Sequence, residues 1–283
     1  MCFGAPTFAQ VQVEVITKTI EKSFDYYRSD AVLIRGEKAT IKVNTWANDE
    51  VKVKLKLISK AVDKATATRE LEYQKYLLEK KRDVINLSNY YEVSTRGDLK
   101  SVLIAEYEVW VPVFSKLTII NSYGNIRMAD KQGEHLITNR FGNIILNNVG
   151  GAGTFESYFG DFTAENFTGQ NELNFNKTKT VINGLSGDLT MESQLGDITI
   201  DNPGLILRLE IKASKSDINI ESIDGWEDFN INLQSEFGEV IISDELPGSP
   251  FKRGTVSQWK YTEGNRSRIK AETNFGVISL SIK

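Results

Sequence analysis

Few side chains in this sequence are of a kind that does covalent chemistry. The 283 residues hold one cysteine, Cys2, and one histidine, His135. A lone cysteine excludes an internal disulfide framework and a cysteine-ligated zinc site, and a lone histidine excludes a two-histidine metal site. His135 stands beside Leu136 and Ile137, two places after Gly133, with no serine or cysteine nucleophile motif near it. It is expected to be a turn or partly buried structural residue. Neither G-x-x-x-x-G-K-S/T nor G-x-G-x-x-G occurs in a strand-to-helix setting, so nucleotide binding has no support. The remaining candidates are carboxylates just after a glycine or its equivalent: Asp161, Asp188, Asp197, Asp217 and Glu239. Converging carboxylates cleave glycosidic bonds, and a column of them holds a cation. Aspartate is also preferred wherever a chain bends. The expectation is exposed turn residues, with no catalytic residue, no metal and no cofactor.

The element that positions these carboxylates is a repeat. Glycine stands at 124, 133, 142, 151, 160, 169, 187 and 196, a nine-residue series broken only by Thr178. The stronger copies are two periods apart: Tyr123-Gly124-Asn125-Ile126, Phe141-Gly142-Asn143-Ile144, Phe159-Gly160-Asp161-Phe162 and Leu195-Gly196-Asp197-Ile198. Later copies are Ser216-Asp217-Ile218, Phe237-Gly238-Glu239-Val240 and Phe275-Gly276-Val277-Ile278. Apolar residues at the second and fourth places after glycine, such as Ile126 with Met128 and Ile144 with Leu146, are the inward side chains of short strands. A unit this short buries its apolar face only by stacking on its neighbours, which predicts a parallel β-solenoid (β-helix) of roughly seven to nine turns over 116–283. Calcium-binding β-rolls share the nine-residue period, but Gly150-Gly151-Ala152-Gly153 is followed by Thr154 and Phe155 where the carboxylate ligand belongs. The aromatics before glycine, Tyr123, Phe141, Phe159, Phe237 and Phe275, are expected to be buried at a corner, phenylalanine predominating. An exposed ladder would instead offer a stacking platform for sugars or a flat apolar partner surface.

The N-terminal part is different in kind. Residues 11–58 alternate apolar and polar, as in Val51, Val53, Leu55 and Leu57 against Lys52, Lys54 and Lys56, the mark of strands with one solvated face. Ala61 to Arg82 lacks glycine and proline, and Val62, Ala65, Tyr73, Tyr76 and Leu77 fall near helical spacing, predicting one helix over about 61–82. Strands are expected again at Val84–Leu87, Tyr90–Ser94 and Val102–Val111. The first ten residues end in Thr7-Phe8-Ala9, like the small-x-small end of a secretory signal, so 1–10 reads as a signal-peptide remnant or a frayed tail. The organisation expected is a tail at 1–10, a strand-rich region at 11–115, and the solenoid at 116–283 with a long insertion near 244–273.

The net charge of −4 gives no electrostatic reason to expect nucleic acid, and no apolar run approaches the roughly 18 residues of a transmembrane segment. One stretch departs from the acidic background: Arg253, Trp259, Tyr261, Arg266 and Arg268 lie in the insertion. A hairpin covering the last turn is the expectation there. The functional alternative is a basic aromatic patch for an acidic glycan or an anionic membrane surface.

The aromatic-Gly-Asp/Asn-apolar repeat, preceded by strands, a helix and Tyr107-Glu108-Val109-Trp110-Val111-Pro112, resembles a bacterial adhesin-like family of unknown function. That family is related to the head domains of autotransporter adhesins named for a Gly-Ile-Asn signature. The resemblance covers about Val11 to Lys283. It implies a β-helical fold, export to the periplasm or cell surface, and no family active site to transfer. The whole reading is an all-β protein with one α-helix, a non-enzymatic adhesin-like or structural protein of the cell envelope whose partners would be an envelope protein or a glycan. The alternative is a carbohydrate-binding or carbohydrate-cleaving β-helix.

Overall fold

The computed structural model of the chain describes residues 13–92, 99–223, 225–243, 246–264 and 267–282. The expected tail at 1–10, Cys2 and Arg266 lie outside these residues. The described strands join into one 21-stranded hydrogen-bonded sheet, nearly closed and barrel-like. The alternation seen in the sequence is what builds it. On one wall, Leu117, His135 and Gly153 are successive parallel partners, and on the opposite wall Ile126, Ile144 and Phe162 are. Every step between parallel partners there is 18 residues, two nine-residue periods. Ile119, Ile137 and Phe155 from the first wall meet Ile126, Ile144 and Phe162 from the second, all fully buried. Burying each such side chain contributes about 1.5–3 kcal/mol. Phe155, Phe162 and Phe167 contact one another edge-on, with centroids 5.5–5.9 Å apart, which locks the middle of the core.

The nine-residue glycine series contains two kinds of glycine. Gly133, Gly151, Gly169 and Gly187 have φ of +94° to +109°, open to a residue without Cβ. Gly124, Gly142 and Gly160 lack such angles, but a Cβ on them would lie 2.0–2.1 Å from the carbonyl oxygen of the rung before. The second kind serves close approach alone, whereas the first combines backbone conformation with close approach, since a Cβ on Gly151, Gly169 or Gly187 would lie 2.1–2.3 Å from the carbonyl oxygen of the rung before.

Sequence order and spatial order part company at both ends. Ala31–Glu37 pairs on one side with Lys116–Ser122 and on the other with Val84–Tyr91. Ala39–Trp46 likewise lies between Ile126–Ala129 and Val102–Pro112. At the far end Ser267–Asn274 inserts between Ile206–Ser214 and Phe229–Glu236, and Ile278–Ile282 inserts between Ile218–Ile223 and Val240–Ile242. The last copy of the repeat is therefore an interior rung. Only the first part of 244–273 is an excursion: Ser249–Arg253 and Val256–Tyr261 form a hairpin laid antiparallel on Phe229–Glu236. Pro250 on its outer strand removes a donor from that free edge. Antiparallel strands also close the N-terminal end, with Glu14–Asp25 on Glu50–Ala61 and Gln74–Lys81 on Val84–Tyr91.

The helix is shorter than expected over 61–82. It spans Lys64–Leu71, with the Asp63 carboxylate accepting from the Thr66 amide at 2.8 Å. Residues Gln74–Lys81 are a strand instead. Helix propensity loses there to eight cross-strand pairs with Val84–Tyr91, a turn at Arg82 with φ +55°, and the Lys80 ammonium held 2.6 Å from Asp30.

Candidate functional site

The residues of the basic aromatic segment are placed apart. Arg253 ends the exposed strand Ser249–Arg253. Trp259, on the neighbouring strand, is buried beneath Gly248, whose missing Cβ leaves room for the indole. Tyr261 packs edge-on against Trp226 at 5.1 Å. Arg268 belongs to the inserted rung and reaches Glu210 at 3.7 Å. Two of the aromatics thus spend their surface on packing.

Polar side chains at the place after glycine, amides first and carboxylates farther along, connect rungs. Asn125 Oδ1 accepts the Asn143 amide at 2.9 Å, and Asn143 Oδ1 accepts that of Asp161 at 3.0 Å. Farther along, Asp197 accepts from Asp217 at 3.2 Å and Asp217 from Val277 at 2.8 Å. Asp188 lies 3.8 Å from Arg208 and Glu239 lies 3.6 Å from Lys252. Among the described residues no three His, Cys, Asp or Glu side chains gather as a metal would need.

The aromatics before glycine correct the expectation of burial. Tyr123, Phe141, Phe159, Phe237 and Phe275 are 44–58% exposed. Each has φ near +60°, as does Leu195 in the same column, which turns the side chain outward at the corner. The glycine that follows lets the rungs close up, and the rings stack: Tyr123 on Phe141 at 4.9 Å and 4°, Phe141 on Phe159 at 5.0 Å and 11°, Phe275 on Phe237 at 4.8 Å and 6°. Lys177, one rung beyond, covers the end of the first stack with its ammonium 4.6 Å from the Phe159 centroid. Phe141 has a ring on each face and Phe159 a ring on one and an ammonium on the other, so that stretch of the ladder shows water its edges. The left-handed corner carries this placement and strand alternation does not, because Leu117, Ile119 and Asn121 are buried and parity along that strand would put Tyr123 inward.

One buried cation was missed in the sequence. Lys131 is fully buried, its ammonium donating to the carbonyls of Val113 at 2.9 Å, Ser115 at 2.7 Å, and Gln132. Burial pulls it down to about 7. Nearby His135 donates through Nε2 to the Gly150 carbonyl at 2.9 Å while Nδ1 has no partner, and burial pulls the imidazole down to about 4. Stepping by 18 from 131 gives Val149, Phe167 and Leu185, all buried. That column marks Lys131 as the misfit.

No helix among the described residues is long and apolar enough to cross a membrane. The family model described as Toastrack DUF4097 matches residues 28–280. The crystal structure of a candidate cell adhesion protein from Clostridium sporogenes is similar at 13% identity, covering 95% of this chain and 100% of its own, with a TM-score of 0.28. That of a candidate lipid binding protein from Parabacteroides distasonis is similar at 11% identity, covering 94% of this chain and 97% of its own, with a TM-score of 0.34. No curated protein matches the chain.

Proposed function

The chain belongs to the Toastrack DUF4097 family, and from that premise we propose that it is a non-enzymatic, adhesin-like or structural protein that works by surface contact. The observation that carries this reading is the exposed ladder of Tyr123, Phe141 and Phe159 along one corner. A monomer keeps large rings at its surface at a cost, and a continuous apolar strip is the form that a contact surface takes. The faces of Phe141 and Phe159 are already occupied, so the ladder favours a flat apolar partner surface over sugar rings.

The reading includes three further elements. The stack is a two-walled parallel β-solenoid, supported by the 18-residue parallel registers of 116–167 on both walls. The protein is exported to the periplasm or cell surface, supported by the small residues at Thr7 and Ala9. Kinship with the Gly-Ile-Asn head domains rests on the repeated aromatic-Gly-Asp/Asn-apolar quartets. Beads coated with the purified chain test the function. Retention on bacterial cells above that of albumin-coated beads is expected, and equal retention overturns the reading.

A further inference from the structure

Beside the ladder, on the wall formed by Ala152–Gln194 and Ile206–Ser214, lies a cavity of about 410 Å³. Two outward columns line it. One comprises Tyr158, Asn176, Gln194 and Ser214, and the other Asn174, Glu192 and Lys212. The register makes Glu192 the partner of Lys212 and Gln194 the partner of Ser214.

Its asymmetry is chemical. Tyr158 forms the high wall at one end, half-buried, with the Arg140 guanidinium 5.5 Å from its centroid on the rung before. On its other side Tyr158 is followed, 18 residues on, by the shorter Asn176, which lines the groove with it. The other walls are amides, a hydroxyl, one carboxylate and one ammonium. Facing positions of Glu192 and Lys212 leave no net charge on the groove. We propose that this groove binds a neutral oligosaccharide, with Tyr158 as the stacking platform and Asn174, Asn176 and Gln194 exchanging hydrogen bonds with sugar hydroxyl or acetamido groups.

The physical case rests on three points. A pyranose ring has an apolar C–H face and a rim of hydroxyls, and the groove pairs one half-buried aromatic ring with a rim of groups that both donate and accept. An anionic polymer or phosphate would want several cations, and the groove's single ammonium is matched by one carboxylate. A flat apolar partner would cover a row of amides already linked by hydrogen bonds, Asn176 Nδ2 to Gln194 Oε1 at 3.3 Å and Asn174 Nδ2 to Glu172 Oε1 at 3.2 Å, and would satisfy none of their remaining donors and acceptors. The groove is independent of the contact edge, since Phe159 is next to Tyr158 in sequence but turns out at the corner.

Saturation-transfer NMR with chitotetraose and cellotetraose, and sialyllactose as the charged control, tests the proposal on the full chain. Transfer to ring protons of at least one neutral tetrasaccharide and none to the sialic acid is expected. Tyr158→Ala should weaken binding about tenfold and Tyr158→Phe less than about twofold, as loss or retention of a stacked ring requires. Gln194→Ala, which leaves the platform intact, should weaken it about fivefold, the size of one hydrogen bond. Phe141→Ser should leave sugar binding unchanged even where it abolishes adhesion, which separates failure of the groove from failure of the ladder. Absence of transfer from both neutral sugars, equal affinity in Tyr158→Ala, or stronger transfer to sialyllactose overturns the proposal.

Discussion

Substituting Gly151 by alanine probes the corner architecture at the level of single atoms. Gly151 has φ +109°, a region that costs a residue bearing a Cβ about 1–3 kcal/mol. Its Cβ would also lie 2.2 Å from the Gly133 carbonyl oxygen and 2.6 Å from the Gly133 nitrogen, backbone atoms that cannot swing away. Relief requires more than 1 Å of separation between the rungs. The bonds it would break are Ala152 N–H to Gly133 O and Gly150 N–H to Lys131 O, both 2.9 Å. At about 1 kcal/mol each they add about 2 kcal/mol, for a total of about 4 kcal/mol. Gly254 is the control. Its φ is +58° but nothing lies within 4 Å of its would-be Cβ, so Gly254→Ala should cost only about 1–2 kcal/mol. Urea unfolding measures the difference, and amide exchange of 134–149 against 206–223 shows whether the loss is local, as nearest-neighbour stacking requires. Equal stability of the two variants would refute the close-approach argument.

Acid should destabilise the protein through His135. The unfolded imidazole takes a proton near 6.5 and the folded one only near 4, so stability falls as pH drops through that window, by about 3 kcal/mol. Lys131 acts in the same sense between about 7 and 10.5, where stability should rise with pH. Unfolding midpoints across pH 4–10 check both, and His135→Asn should flatten the acid limb alone. Deleting residues 267–283 removes an interior rung, so limited proteolysis should cut rapidly within 229–261 while 116–201 keeps its exchange protection. An unchanged cleavage pattern would contradict the insertion. Phe141→Ser loses two stacked pairs and should cost about 1–3 kcal/mol by urea unfolding, with the far-ultraviolet circular dichroism unaltered.

Much of the repeat was legible because it is local. Ile126, Ile144 and Phe162 read as inward from the alternation alone, and they are inward. The helix was overextended because Gln74–Lys81 has helical composition, and only its long-range pairing decides for strand. The ladder was misjudged because phenylalanine was weighed by type, and because the left-handed corner that interrupts the alternation of Leu117, Ile119 and Asn121 and turns Tyr123 outward leaves no mark in the residue pattern. Lys131 was visible only by aligning repeats 18 apart, where it interrupts a column of Val149, Phe167 and Leu185. Intercalation of the last rung was not legible. Phe275-Gly276-Val277-Ile278 keeps the aromatic, glycine and inward apolar residue of the other copies and differs only in Val277, where they carry Asn, Asp or Glu, and that change does not say which two rungs it joins. The groove at Tyr158 needed three dimensions, since its residues come from four successive rungs.

The central claim is that the stacked edge of Tyr123, Phe141 and Phe159 makes the protein's contacts. Co-sedimentation with isolated bacterial envelopes, comparing the native chain with the triple variant Tyr123→Ser, Phe141→Ser and Phe159→Ser at matched circular dichroism, measures it most directly. The account predicts that the native chain pellets with the envelopes and the triple variant stays in the supernatant. Equal pelleting of the two would contradict it.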